Sequence, residues 1–66
     1  MIQEAYSIPD YLYSIFSMLE KKKQDFYNGN KWRVYVEKHY YIVEKVYNGI
    51  LHDKYRVKRT LQGGTV

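Results

Sequence analysis

The side chains that could do chemistry in this chain are two histidines, seven carboxylates, eleven Lys and Arg, and nine tyrosines. His39 and His52 stand thirteen positions apart, and none of the 66 residues is cysteine. A metal site asks for a closely spaced His pair or a Cys/His cluster, so neither a metal nor another cofactor is expected. General acid–base catalysis needs two titrating groups converging on one pocket. Glu37 and Glu44 instead repeat on one charged stripe, Asp53 stands among bases, and the serines of the amino-terminal half have no histidine nearby in sequence. An enzyme is not expected.

What remains is recognition. Lys54, Arg56, Lys58 and Arg59 are interleaved with Tyr55, and Lys31 and Arg33 lie upstream. Lys and Arg neutralise phosphates and Tyr stacks on bases, so these six cations are candidate nucleic-acid contacts. No homeodomain, zinc-finger or ribonucleoprotein signature accompanies them. The net charge of +4 is unevenly placed: residues 1–30 carry minus one and residues 31–66 plus five. That asymmetry suits an acidic partner, whether nucleic acid, an acidic protein face or anionic lipid.

Aromatic residues make up 18% of the chain, more than so small a core can enclose with every hydroxyl satisfied. Several must face outward, where Tyr and Arg offer large contact areas to a protein partner. Arg33, Tyr40, Tyr47, Tyr55 and Arg56 are the expected anchors. The leading expectation is a small non-enzymatic regulator or inhibitor that covers a surface of a larger protein. The alternative is a nucleic-acid-binding regulator that uses the basic carboxy-terminal half.

The elements that must position these residues are suggested by a repeat. Val36-Glu37-Lys38-His39-Tyr40 returns seven residues later as Val43-Glu44-Lys45-Val46-Tyr47. Trp32, Val36, His39, Val43, Val46 and Ile50 follow a four-three-four-three-four rhythm, which lines one face of a helix. The spacing predicts an amphipathic helix from Lys31 to at least Tyr47, with His39 as a polar register-setting residue on its seam. Trp32–Val36 also has strand-forming composition, but a 3.5-residue period over nineteen positions argues for helix. An earlier helix is predicted from a Ser7 cap, with Pro9 in its first turn and Asp10 beside it, to Phe26 or Tyr27. Its stripe is Ile8, Leu12, Ile15, Leu19 and Phe26. Asn28-Gly29-Asn30 then reads as a stop and a new cap.

The fold class expected is therefore all-α: a two-helix antiparallel hairpin spanning residues 1–61. It carries a basic carboxy-terminal extension, a short third element of strand or helix, and a flexible tail over 62–66. A core of this size contributes only about 3–5 kcal/mol, so pairing into a homodimeric bundle is expected. The amino end, with Gln3 and Glu4, has no secretory pattern, and the apolar run Tyr11–Leu19 is half the length of a membrane span. A soluble cytoplasmic protein is expected.

Overall fold

Residues 32–59 do not form a helix. In the computed structural model, which describes residues 8–59 and the backbone of 2–4, they form three antiparallel strands. The order is β1 (Ile2–Glu4), α1 (Tyr11–Lys22), β2 (Phe26–Asn28), β3 (Trp32–Val36), β4 (Tyr40–Tyr47) and β5 (Ile50–Lys58). In the sheet the strands lie β1-β5-β4-β3-β2. Strands β2 to β5 make a four-stranded antiparallel meander, and β1 pairs with β5 in parallel at the far edge. The all-α helical hairpin is thus corrected to one helix and a mostly antiparallel sheet. The basic extension becomes β5, a central strand. The Ser7 cap, Leu61 and the tail 62–66 lie outside the described residues.

Composition and turns explain the strands. Trp32-Arg33-Val34-Tyr35-Val36 and Tyr40-Tyr41-Ile42-Val43 are β-branched and aromatic nearly throughout, which suits a pleated surface better than a helix. Between β4 and β5, Asn48 and Gly49 have φ of 51° and 77°. Positive φ at both central residues, in the order Asn-Gly, is the turn whose twist matches a two-residue hairpin. Between β3 and β4 the chain turns at Glu37–His39, where the Glu37 N–H donates to the Tyr40 carbonyl at 2.8 Å. His39 is therefore an exposed turn residue and sets no helical register.

Helix α1 is shorter than its apolar stripe suggests. Asp10 occupies the cap position, without a side-chain capping bond. At the other end Lys23 turns left-handed (φ 55°, ψ 40°), and the Lys23 and Gln24 N–H groups donate to the carbonyls of Glu20 and Leu19 at 3.2 and 2.9 Å. This closure satisfies the last carbonyls and releases the chain at Gln24, before the Asn28-Gly29 pair. Among the described residues no helix is long and apolar enough to cross a membrane.

The core lies between α1 and one face of the sheet. Leu12, Phe16 and Leu19 from the helix meet Trp32, Val34, Tyr41, Val43 and Tyr55, with Ile8, Ile15, Met18, Tyr27, Val36 and Val57 around them. The strand residues alternate, as a sheet with one covered face requires. The Phe16 and Tyr41 rings stack with centroids 4.1 Å apart and planes 9° apart.

Arg59, one residue past β5, clamps this layer. Its Nε and Nη2 donate to the two Glu20 carboxylate oxygens at 2.7 and 2.8 Å, and its Nη1 donates to the Glu37 carbonyl at 2.7 Å. The Tyr41 hydroxyl donates to the same carboxylate at 2.7 Å. One guanidinium thus ties the last turns of α1, the β3–β4 turn and the end of β5 together.

Candidate functional site

Because α1 covers only one face, alternation delivers every second residue of four strands to the other. Following the register, Phe26, Tyr35, Ile42 and Arg56 form one row across β2, β3, β4 and β5. Asn28, Arg33, Glu44 and Lys54 form the next, and Tyr40 pairs with Lys58 at the far end. The helix-free face is therefore aromatic and basic. Phe26 is 44% exposed, and Tyr35, Tyr40, Ile42, Arg33, Lys54 and Arg56 are half-buried.

The contacts on this face link cations and rings. The Arg56 guanidinium lies 4.6 Å from the Tyr40 ring centroid. Phe26 and Tyr35 are neighbours across β2 and β3, with centroids 4.9 Å apart. Among the described side chains Glu44 is the one carboxylate in these rows, and it is buried under its neighbours; on β1 the register sets Glu4 opposite Arg56. Arg33 Nε is 3.0 Å from Glu44 Oε1 and Lys54 Nζ is 3.7 Å from Oε2. The Arg33 pair is close in distance but not aligned as a hydrogen bond. It holds the guanidinium less firmly than the two-pronged Arg59–Glu20 pair does. Arg33, Lys54, Arg56 and Lys58 outnumber the two acidic residues of these rows, Glu44 and Glu4, so the rows keep a positive balance.

Five sequence candidates, Arg33, Tyr40, Lys54, Arg56 and Lys58, meet here. The others are dispersed. Tyr55 points to the opposite face and is buried in the core beside Trp32, so it is no surface anchor. Arg59 is engaged by Glu20 and two turn carbonyls, at Glu37 and Lys38. The Glu20 partnership holds the Glu20 carboxyl below its ordinary range, and it raises the Arg59 guanidinium further. Burial, with the Glu20 carboxylate beside it, pushes the Tyr41 phenol up to about 12. Lys31 precedes β3, where its carbonyl accepts the Val46 N–H at 2.7 Å. Tyr47 is 59% exposed on the β4–β5 hairpin, with Ile50 and Leu51 exposed beside it. Its ring meets the His52 ring edge-on at 5.5 Å.

Phe26, Tyr35 and Ile42 are site residues that the sequence reading does not include: strand alternation from Arg33 reaches Tyr35 alone, and Phe26 and Ile42 join the face only through the register of β2 and β4. Among the described residues no group of three or more His, Asp or Glu is placed to hold a metal ion. A groove of about 340 Å³ between α1 and β5 is lined by Tyr13, Ser14, Phe16, Ser17, Tyr41, Val57 and Lys58, and it holds no carboxylate–base pair. No family model matches the chain, and no curated protein or solved structure matches it either.

Proposed function

We propose that this protein is a small non-enzymatic nucleic-acid-binding protein that uses the helix-free face of its sheet. The observation that carries the reading is the interleaving of Phe26, Tyr35 and Tyr40 with Arg33, Lys54, Arg56 and Lys58 on that one face. Cations there neutralise phosphates, and aromatic rings supply apolar contact to bases. The lack of cysteine suits a cytoplasmic, reducing setting.

The test is a titration of a labelled oligonucleotide at several salt concentrations. The logarithm of the binding constant should fall linearly with the logarithm of salt, and Lys58→Gln or Arg56→Gln should each flatten the slope by about 0.7–0.9. Absence of binding at low salt would refute the reading.

A second reading, a regulator docking on a larger protein, is favoured by the β4–β5 hairpin. Tyr47, Ile50 and Leu51 are 59%, 65% and 46% exposed at its end, apolar side chains that water solvates poorly, with Tyr47 and Ile50 paired across the two strands. A second copy of the chain is one partner that could cover it. Sedimentation of the wild type against Ile50→Ser/Leu51→Ser separates a homodimer from a monomer, and an unchanged monomer removes that form of the reading.

A further inference from the structure

Resting on the nucleic-acid reading, we infer that the sheet face takes an extended single strand, with bases seated on the Phe26–Tyr35 pair and on Tyr40, and does not take a duplex. The register makes the case. Tyr35 faces Ile42 across β3 and β4, and Tyr40 lies two residues from Ile42 on the same side of β4. Tyr35 and Tyr40 are thus diagonal neighbours, a relation that sets residues about 7–8 Å apart. That separation suits two bases drawn out of a stack, whereas bases inside a duplex have their faces already covered. The guanidinium of Arg56 lies over the Tyr40 ring, 4.6 Å from its centroid, so a base at this position stacks on the Arg56–Tyr40 pair, and Arg planes accept bases as rings do. Lys58 and Lys54 flank this diagonal on β5, one beside Tyr40 and one beside Glu44, where phosphates of the same strand would run.

The elements that could enter a duplex groove point elsewhere. An α-helix or a two-stranded ribbon fits the major groove. Helix α1 is packed on the opposite face of the sheet from the four cations. The β4–β5 ribbon ends in Tyr47, Asn48, Gly49, Ile50 and Leu51, none of them charged. The basic side chains lie on a broad sheet, which a base-splayed strand can cover and a rod touches only along a line.

The experiment is fluorescence anisotropy with a labelled 12-nucleotide single strand, in ribo and deoxy forms, and with the deoxy strand annealed to its complement. The single strands are expected to bind at least about tenfold tighter than the duplex. Tyr40→Leu and Phe26→Leu keep apolar bulk but lose the ring, and each should weaken single-strand binding by about 5- to 150-fold, the range of one stacked base. The effect on the duplex should be small. Circular dichroism of both variants checks that the sheet is intact, and Phe26, on a three-residue edge strand, is the change the fold tolerates more readily. A strong preference for the ribo or the deoxy strand identifies the source of the ligand within the inference. Equal affinity for strand and duplex, or folded Leu variants that bind as wild type, overturns the single-strand inference while leaving nucleic-acid binding in place. Failure of all three probes to bind at low salt overturns both.

Discussion

Arg59 and Glu20, 39 positions apart in sequence, are joined by two hydrogen bonds of 2.7 and 2.8 Å that close the sheet onto the helix. Both side chains are largely shielded, at 15% and 24% exposed. Hydrogen bonds to charged groups contribute about 1.5–3 kcal/mol, and Arg59→Ala also leaves Glu20 without its countercharge. The variant should lose about 2–3 kcal/mol in urea unfolding, a large share of what a chain this short has. A loss under about 0.5 kcal/mol, the size of an ordinary surface change, would show the clamp to be incidental.

The same cluster sets a pH profile. Folding lowers the Glu20 pKa, chiefly through the Arg59 hydrogen bonds, so folding favours the ionised carboxyl. That contribution is full above the ordinary value of 4.5 and is lost as pH falls through the lower folded value. Folding raises the Tyr41 pKa from 10.0 to about 12, chiefly through burial, so folding favours the protonated phenol. Its contribution is full below pH 10 and is lost as pH rises toward 12. Unfolding curves of wild type and Glu20→Gln should converge in acid, and those of wild type and Tyr41→Phe should differ in slope between pH 10 and 12.

Gly49 sits at φ 77° with open space where a Cβ would stand, so Gly49→Ala is opposed by the backbone and by no clash. The left-handed conformation costs a non-glycine residue about 1–2 kcal/mol. Thermal melts should show a fall of several degrees, since about 1 kcal/mol shifts a domain of this size by roughly 4–8 °C. An unchanged midpoint would mean that the hairpin turn adapts.

Glu44 is an acid placed among the cations of the open face, 3.0 Å from Arg33 and 3.7 Å from Lys54. Glu44→Gln keeps the shape and removes a charge that competes with phosphate. A unit charge at about 4 Å is worth on the order of 1 kcal/mol in water and more beside a buried carboxylate, so oligonucleotide affinity should rise at least roughly fivefold. A fall in affinity would show that Glu44 serves binding by holding Arg33 in position.

Part of this architecture was legible in the sequence, and the rest was concealed by parity. The stripe Ile8, Leu12, Ile15, Leu19 and Phe26 corresponds to a helix only over Tyr11–Lys22, since Phe26 already belongs to β2, and Asn48-Gly49 is a hairpin turn where the heptad spacing carries a helical seam on to Ile50. The heptad over residues 32–50 arose from three strands whose alternation is reset twice. Trp32 and Val36 share one parity on β3, and the Glu37–His39 turn hands the buried face to odd positions, Tyr41 and Val43, on β4. The register then slips by one between Lys45/Val46, opposite Asp53 and Leu51, and Val46 is buried outside the cluster under α1. A period of two interrupted in this way imitates one of 3.5. The site was half legible for the same reason: its cations are charged wherever they stand, but only the sheet register shows that Arg33, Lys54, Arg56 and Lys58 share a face with Phe26, Tyr35 and Tyr40, and that Tyr55 does not.

The most direct measurement is a two-dimensional nuclear magnetic resonance titration of the labelled protein with a short single-stranded oligonucleotide. Resonances of Phe26, Tyr35, Tyr40, Ile42 and Arg56 should move together and saturably, while those of Leu12, Phe16 and Val43 under the helix stay in place. Shifts confined to Tyr47, Ile50 and Leu51, or no shifts at all, would contradict the assignment of the open sheet face as the binding surface.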